Sequence, residues 1–319
     1  MGSSKDGASA AEGGAGTPDS RSAAAFVAGL CARPAARRAT PLAAFDPGGY
    51  AGAAGLLAGL RGAAPVTVVT GTFIPWAGVP GCETDGPVGT AALAAVLEAA
   101  GLAVTVLTDE PCAAVVRACL EVVAPGAHLE AVPVTSTAGE MLAAAGAPVC
   151  LVAVERLGPG RDGVTRNMRG VTLDPWTAPL WHLFVEPVSP GGPVPTIGVG
   201  DGGNEIGMGN LPAALVGRWI GGGERIHCTV PVDHLLFAGT SNWGCYGLLT
   251  TLALTDPDRF GPAAAALLDP ASDERLLEAA VDAGAVDGTT GDPTRGVDGV
   301  EHADYADLLG ALATLARPL

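Results

Sequence analysis

The chain has 319 residues, with 17 basic and 33 acidic side chains and a formal net charge of −16. So acidic a chain is not expected to bind nucleic acid, because phosphate contacts need clustered Lys and Arg. Since 48% of its residues are hydrophobic, it can bury a sizeable core, which argues against general disorder.

Lysine is the most informative residue type, because Lys5 is the only lysine of the chain. It lies in a Gly-, Ser- and Ala-rich N-terminal segment. A folded part without lysine cannot form a Schiff base with pyridoxal phosphate, nor supply the lysine of a P-loop. We therefore expect no organic cofactor.

We expect residues 1–22 to be a disordered tail and residues 23–319 to form a single domain. The first twenty residues lack the apolar core of a secretory signal, and no later run reaches the roughly 18 to 20 apolar residues of a membrane span. Seven cysteines without a CxxC pair are typical of buried thiols in a reducing compartment, although Cys82 and Cys245 remain candidates for a catalytic thiol. These features predict a cytoplasmic protein with a small-molecule partner and no membrane partner, with homo-oligomer formation left open.

Helix and strand patterns follow one another along the chain. Helical patterns cover 26–43, 50–62, 87–100, 112–123, 138–145, 243–254, 262–268, 273–283 and 303–315. Strand patterns cover 66–70, 103–107, 129–134, 149–154, 196–199 and a segment at 228–233 that leads to a carboxylate. Residues 71–86 are predicted to be a long loop.

Wholly apolar strands that alternate with helices indicate a parallel sheet covered on both faces. We predict an α/β fold, a doubly wound and mostly parallel sheet with helices on both faces and a helical C-terminal extension. Open sheets of this class bind ligands beyond the carboxyl ends of their strands. Three polar, glycine-rich segments follow predicted strands, at 71–89, 155–170 and 198–209.

The first segment carries two carboxylates, Glu83 and Asp85, directly before a predicted helix. They could simply cap the helix and complement its dipole. Alternatively, Glu83 or Asp85 faces a substrate while the helix start, with Gly86, Gly89 and Thr90, receives an anionic group.

The second segment concentrates positive charge. Four of the sixteen arginines, Arg156, Arg161, Arg166 and Arg169, fall within fourteen residues of an acidic chain. A solvated surface loop is one interpretation. The local enrichment favours a clamp for carboxylate or phosphate, because arginine binds such groups with two parallel hydrogen bonds.

The third segment matches GxGxxG at 198–203, which invites a dinucleotide interpretation. Asp201, however, would put a carboxylate in the turn meant for pyrophosphate. The many glycines around Asp201, Asn204 and Glu205 instead predict backbone packed closely against a small ligand.

The five histidines stand alone in the sequence, so a histidine metal site is not expected. A hard ion such as Mg²⁺ or Mn²⁺ needs only a few oxygen ligands, and Asp201, Glu205 and Asp233 are the candidates. Ser241 and Asn242 open a predicted helix and are candidate caps.

Together these segments resemble the D-glutamate cyclase family, long catalogued as a domain of unknown function. The resemblance runs from about residue 66 to 299, and DGGNEIGMG is its most specific piece. It rests on ETDGPVGTAALAAVL (83–97), Glu155-Arg156 followed by DGxxxNMRG (162–170), TIGVGDGGNEIGMGN (196–210), PVDHLLFAGTSNWGCYGL (231–248) and AGAVDG…VDG (283–299).

The resemblance implies a lyase that cyclises D-glutamate to 5-oxo-D-proline with loss of water. Lactam formation needs a neutral amine, a polarised γ-carboxyl group and a bound geometry that holds both ends together. On this basis Asp201 or Glu205 acts as base or metal ligand, and Glu83 and Asp85 bind the ammonium or donate a proton. The expected substrate contacts are Arg156 and Arg169 as carboxylate clamps, the helix start at Gly86, Gly89 and Thr90, and the polar side chains of Asp162, Asn167, Asn204 and Asn242.

One departure from the family pattern is that Thr165 and Arg166, rather than aromatic residues, precede Asn167-Met168. A lactam-forming or dehydrating enzyme for a different acidic amino acid is therefore the first alternative. The second is a nucleotide-binding oxidoreductase that uses the GxGxxG segment, and the third is a non-catalytic amino-acid sensor.

Overall fold

A computed structural model describes residues 20–33, 48–188, 192–300 and 302–317. Its centre is a six-stranded sheet in which all neighbouring strands are parallel, accompanied by a short antiparallel pair, β2 and β3. The predicted α/β fold with a parallel sheet is confirmed. The strands are β1 Pro65–Thr70, β2 Phe73–Ile74, β3 Gly81–Cys82, β4 Ala103–Asp109, β5 His128–Val132, β6 Cys150–Val154, β7 Thr196–Gly200 and β8 His234–Phe237.

Helices cover both faces of this sheet. They are α1 Ser20–Cys31, α2 Gly49–Gly59, α3 Pro87–Ala99, α4 Ala113–Val123, α5 Ala138–Ala144, α6 Ala213–Trp219, α7 Gly223–Ile226, α8 Ser241–Thr255, α9 Pro257–Leu267, α10 Pro270–Asp282 and α11 His302–Leu315. Of the expected tail, residues 1–19 lie outside the described residues, and so does the part of the predicted 26–43 helix beyond residue 33. Within the described residues, no helix is both long and apolar enough to cross a membrane.

The strand order β5-β4-β1-β6-β7-β8 reverses direction between β1 and β6. In open α/β sheets the loops after two such strands diverge to opposite faces and leave a crevice where ligands bind. Here those loops are the segment after Thr70 and the segment that starts at Glu155. Topology therefore fixes where polar residues from distant parts of the chain can meet.

Burial explains why the strands are nearly continuous apolar runs. One face of the sheet packs against a large helical layer that includes α1, α2, α3, α8 and α11. The other face packs against two smaller clusters, around Met141 of α5 and around Val216 of α6. Two buried threonines in the strands bond backbone, since Thr67 donates to the carbonyl oxygen of Ala145 (2.7 Å) and Thr108 to that of Thr70 (2.8 Å).

Two predicted elements differ from the structure for local reasons. The predicted strand at 228–233 is wrong, because Cys228 and Thr229 donate their backbone N–H groups to the loop carbonyls of Gly203 and Pro159 rather than to a strand. The sheet strand β8 starts only at His234. The predicted long loop at 71–86 contains the β2–β3 hairpin, which the sequence pattern did not indicate.

Candidate functional site

A cavity of about 120 Å³ lies beyond the carboxyl ends of β1 and β6, at the reversal of strand order. Its volume is comparable to the roughly 150 Å³ that holds a benzene molecule in an engineered protein cavity. The loops after both strands contribute to its wall, as do two more distant segments, at residue 204 and at 288–289. The lining residues are Thr72, Ile74, Trp76, Glu83, Glu155, Leu157, Asn167, Met168, Arg169, Asn204, Gly288 and Thr289.

Two helices start beside this cavity, and each start is capped by a side chain that lies at the start of the other helix. Asn242 accepts the backbone N–H groups of Gly86 (3.0 Å) and Gly89 (2.8 Å) at the start of α3. Asp85 in turn accepts the N–H groups of Ser241 (2.8 Å) and Asn242 (2.7 Å) at the start of α8. The predicted anion site at Gly86, Gly89 and Thr90 thus already contains a protein acceptor, and Asp85 is held as a capping group.

Gly86 is required at this junction for two reasons. Its φ of 93° lies in the left-handed region that favours glycine. A Cβ atom there would also lie 2.8 Å from Cβ of Glu155. Thr90, by contrast, is fully buried in the first turn of α3, and it does not line the cavity.

Glu155 occupies the most constrained position of the cavity wall. It follows β6 directly, has a φ of +45° and is 2% exposed, and a strained backbone of this kind often marks a functional residue. Ser241 donates a hydrogen bond of 2.5 Å to its Oε2 atom. Burial raises the pKa of Glu155 well above its usual range, and the nearby carboxylates of Glu205, Glu83, Asp85 and Asp298 raise it further. Glu155 can therefore retain a proton at a pH at which an exposed glutamate has lost it.

A cluster of buried carboxylates surrounds Asp201, which is itself fully buried. Oxygens of Asp85, Asp201 and Asp298 lie within 4.8 Å of one another, and so do oxygens of Glu155, Asp201 and Glu205. Two full charges about 5 Å apart repel by about 3 kcal/mol at an effective dielectric constant of about 20. Protonation, a bound cation or a substrate ammonium must offset this repulsion, and either trio could hold Mg²⁺ or Mn²⁺.

Backbone donors stabilise one member of this cluster. Glu205 accepts the N–H groups of Gly202 and Gly203, both at 2.7 Å. Glu205 thus orders the loop that carries Asp201.

Glu83 enters the cavity from the loop before α3. Its backbone donates to the carbonyl oxygen of Thr72 (2.9 Å) and forms a parallel bridge with Val286. Gly288 lies against its side chain, since a Cβ atom at Gly288 would come within van der Waals overlap of Glu83 Oε2. Glu83 and Glu155 are the two carboxylates among the residues that line the cavity.

Two asparagines line the same cavity, and the side chain of each uses only one of its two polar atoms in hydrogen bonds with the described part of the chain. Asn167 Oδ1 accepts the N–H groups of Arg169 (3.0 Å) and Val171 (2.8 Å), and Asn204 Nδ2 donates to the carbonyl oxygen of Arg166 (2.8 Å). Asn167 Nδ2 and Asn204 Oδ1 are buried without a hydrogen-bond partner in the described part of the chain. An unsatisfied buried polar group costs about 1–3 kcal/mol, so both atoms are suited to contact a ligand.

Arg169 and Trp76 lie together at the exposed side of the cavity. The guanidinium carbon of Arg169 lies 5.5 Å from the centre of the Trp76 ring, and Nη2 donates to the carbonyl oxygen of Thr289 (3.1 Å). Trp76 Nε1 is buried and has no hydrogen-bond acceptor among residues 20–33, 48–188, 192–300 and 302–317. This side of the cavity therefore offers hydrogen-bond donors and positive charge.

Arg156, predicted as a carboxylate clamp, lies outside the cavity lining and is fully buried. Its guanidinium donates to the carbonyl oxygens of Gly71 and Ala178, both at 2.7 Å, and to Asp109 Oδ2 at 2.6 Å. A buried guanidinium needs a carboxylate to balance its charge. The Arg156–Asp109 pair thus ties β4 to the loops after β1 and β6.

Two further predicted residues also lie away from the cavity. Asp162 is exposed and pairs with Arg166 through two bonds of 2.7 and 2.6 Å, which lower the pKa of Asp162 to about 2. Asp233 accepts the backbone N–H of Thr196 (2.8 Å), the first residue of β7, whereas Asp201 follows the last residue of that strand. The structure does not bring Asp233 to Asp201 and Glu205.

The glycines of the GxGxxG match allow close packing of the chain against β7. A Cβ atom at Gly198 would lie 2.6 Å from the carbonyl oxygen of Ile206, and one at Gly200 would lie 3.0 Å from Cβ of Glu205. These positions let the 205–207 turn fold back onto β7. No helix starts directly after them, since Pro212 precedes α6.

All seven cysteines are buried and free. Burial raises the pKa of Cys245 well above its usual range, and the nearby charge of Asp85 adds to the effect. Cys245 is therefore a protonated thiol in the core. This agrees with the interpretation of the cysteines as small buried hydrophobic residues rather than as catalytic thiols.

Sequence reasoning missed Glu155, Trp76 and Asp298 as residues of the site. Glu155 was detectable, because it immediately precedes Arg156 at the end of a strand next to the reversal point. Asp298 belongs to the VDG piece that carries part of the family resemblance. Trp76 gave no signal, because only the hairpin turns it toward the cavity.

Two comparisons with known proteins show what the chain is similar to. A family model described as D-glutamate cyclase-like, C-terminal, matches residues 30–313. A curated relative, the mitochondrial D-glutamate cyclase of Homo sapiens, is 34% identical over 206 residues. That match covers 60% of this chain and 33% of the relative, so the chain spans about a third of the length of the relative it matches.

Proposed function

The chain belongs to the D-glutamate cyclase-like family, and from that premise we propose that it cyclises D-glutamate to 5-oxo-D-proline with loss of water. The observation that carries the proposal is the polarity of the cavity. The carboxylates of Glu83 and Glu155 line it together with the hydrogen-bond donors of Asn167, Trp76 and Arg169. An α-amino dicarboxylate has the complementary distribution of charge.

The proposed reaction needs two groups that exchange protons with the substrate. The ammonium loses two protons in total, and the γ-carboxylate loses one oxygen, which leaves with them as water. Glu83 takes the first proton, which frees the amine to attack the γ-carbon. Glu155 protonates the γ-carboxyl oxygen during the attack. Glu83 then gives its proton to the departing hydroxyl, and Glu155 regains a proton from the ring nitrogen.

The environment of Glu155 supports its role as the acid. A carboxyl group that is buried among other carboxylates keeps its proton at a pH where an exposed one is charged. Because the cavity is small, a bound substrate would also exclude water from the reacting atoms. Neither role needs a nicotinamide, ATP or pyridoxal phosphate.

A divalent ion is a second version of the same chemistry. Mg²⁺ or Mn²⁺ at Asp201, held with Asp85 and Asp298 or with Glu155 and Glu205, would polarise the γ-carboxyl oxygen as a Lewis acid. The two versions differ in whether a proton or an ion offsets the buried negative charge. Chelation of the purified protein separates them.

The departure at Thr165-Arg166 gives little support to a different substrate. Arg166 turns toward Asp162 and away from the cavity lining, and it meets the site only through its carbonyl oxygen, which binds Asn204. The packing tasks of the glycines at 198–203 likewise favour a cyclase over a nucleotide-binding oxidoreductase.

A substrate panel with product detection tests the proposal. We expect 5-oxoproline from D-glutamate and slower or no turnover of D-aspartate, whose shorter side chain would form a strained four-membered lactam. Turnover of another acidic amino acid in preference to D-glutamate would support the first alternative. Binding of NAD(P)H in a near-ultraviolet titration, without turnover of any amino acid, would favour the oxidoreductase.

A further inference from the structure

The side-chain amides of Asn167 and Asn204 are each fixed in one orientation by neighbouring backbone. Asn167 Oδ1 accepts two N–H groups, from Arg169 and Val171, so a flipped amide would place its NH₂ group against two donors. Asn204 Nδ2 donates to the Arg166 carbonyl oxygen, so a flip would oppose two acceptors. The orientation of both amides is therefore determined by their partners.

Each amide leaves one atom for a ligand, and the two atoms have opposite hydrogen-bonding character. Asn167 Nδ2 is a donor and Asn204 Oδ1 is an acceptor, and neither has a partner within the described ranges. Both side chains line the cavity, with residue exposures of 7% and 3%. A buried donor without a partner selects an anionic or carbonyl oxygen, and a buried acceptor without a partner selects a donor such as ammonium.

The surroundings reinforce this difference. Asn167 is two residues from Arg169 and lines the cavity together with Trp76, whose Nε1 is also without an acceptor there. Asn204 Oδ1 lies close to Glu205 Oε1. A Cβ atom at Gly202 would be 3.0 Å from Asn204 Oδ1 and 2.8 Å from Glu205 Oε1. Asn167 thus shares the cavity lining with the donors of Arg169 and Trp76, whereas Asn204 Oδ1 lies next to a carboxylate.

We infer that Asn167 and Asn204 determine the substrate's orientation, Asn167 Nδ2 by binding the α-carboxylate and Asn204 Oδ1 by binding the α-ammonium. The inference rests on the proposed cyclisation, in which the ammonium and the γ-carboxyl group must meet beside Glu83 and Glu155. The α-carboxylate takes no part in bond formation and is left for the hydrogen-bond donors. The ligand class is an α-amino acid with a second carboxylate on its side chain.

Three ligands separate the two contacts. D-Glutamate carries both groups, glutarate lacks the ammonium, and 4-aminobutyrate lacks the α-carboxylate. Dissociation constants are measured by ligand-observed NMR, which reaches weak binders, with wild-type protein and the variants Asn167→Asp and Asn204→Leu. Asn167→Asp keeps an oxygen for the N–H groups of Arg169 and Val171 and replaces only the free donor.

We expect Asn167→Asp to weaken D-glutamate and glutarate roughly 10- to 100-fold, the range of a hydrogen bond to a charged group, and to leave 4-aminobutyrate unchanged or tighter. Asn204→Leu is expected to weaken D-glutamate and 4-aminobutyrate by a similar factor and to leave glutarate unchanged. Asn210→Leu is the matched control, because Asn210 also bonds backbone through both amide atoms but lies outside the cavity. It should change none of the three constants.

Equal weakening of all three ligands in a variant would overturn the inference, since it indicates a structural role or misfolding. An unchanged D-glutamate constant in Asn167→Asp, or glutarate binding to the wild type as tightly as D-glutamate, would overturn it as well. If the wild type binds D-glutamate with this pattern and forms no 5-oxoproline, the proposed reaction fails while the orientation stands.

Discussion

Replacing Glu155 with glutamine removes one ionisable proton and leaves the shape of the side chain almost unchanged. The Glu155 Oε2 atom accepts a hydrogen bond from Ser241 at 2.5 Å, and the glutamine oxygen can accept the same bond. Glutamine also carries no charge toward Glu205, Glu83, Asp85 and Asp298, whose charges raise the pKa of Glu155. The substitution therefore separates proton transfer from packing.

We expect Glu155→Gln to lower kcat by about 10²- to 10⁴-fold, the usual contribution of a general acid or base. Its stability at neutral pH should equal or exceed that of the wild type. The folded-state pKa of Glu155 is raised, so its contribution to stability is present at low pH and is lost as the pH rises through that pKa. Glutamine does not ionise, so the variant does not lose stability in this way as the pH rises.

The assay is the rate of 5-oxoproline formation, measured with denaturant unfolding on the same samples. Glu278→Gln is the matched control, because Glu278 is an exposed residue of α10 that pairs with Arg295. Ser241→Ala supplies a second readout. Loss of its hydroxyl should raise the pKa of Glu155 and shift the high-pH limb of the pH–rate profile to higher pH. Full activity in Glu155→Gln, or inactivity that accompanies unfolding, would refute the acid role.

Three further outcomes are expected. Arg156→Leu should lower the free energy of unfolding, measured by urea denaturation, by about 3–5 kcal/mol, because it leaves Asp109 buried without its partner. The double variant with Asp109→Leu should recover most of that loss. An Arg156→Leu variant that is stable and fails only to bind substrate would instead support the predicted carboxylate clamp. Burial raises the pKa of Asp273 to about 7 despite the hydrogen bond from Tyr246, so its stabilising contribution is complete below the ordinary value of 3.8 and is lost, on the order of 4 kcal/mol, as the pH rises to about 7. Asp273→Asn should flatten the pH dependence of unfolding in this window, and an unchanged slope would contradict the assignment. Dialysis against EDTA should leave the cyclisation rate within about twofold if a protonated carboxyl group supplies the electrophile, whereas a loss that Mn²⁺ restores would assign that task to an ion at Asp201.

The fold was largely predictable, because apolar strands and capped helices follow from local patterns. Gly101 ends α3 with a φ of 83°, and Pro87 starts it, as expected of these residue types. The segment at 228–233 could not be predicted, because its extended backbone bonds loops that lie far away in sequence. Strand order was also beyond local patterns, although it determines the position of the cavity.

The site was predictable in its segments and much less so in the task of each residue. Asp85 and Asn242 are recognisable as polar groups at helix starts, but no local pattern indicates that each caps the other's helix. Arg156 was predicted to bind a substrate carboxylate, but its guanidinium is buried and pairs with Asp109. Glu155 was passed over because its raised pKa arises from burial and from four carboxylates that three other segments contribute.

The most direct test of the account follows D-glutamate and 5-oxo-D-proline over time by chiral chromatography. Purified protein is incubated with D-glutamate alone, and in parallel with Mg²⁺ or Mn²⁺, beside the Glu83→Gln variant. We expect 5-oxo-D-proline to accumulate as fast as D-glutamate disappears, without any organic cofactor, and Glu83→Gln to be slower by at least about 10²-fold. Unchanged D-glutamate under all conditions, or equal rates in Glu83→Gln and wild type, would contradict it.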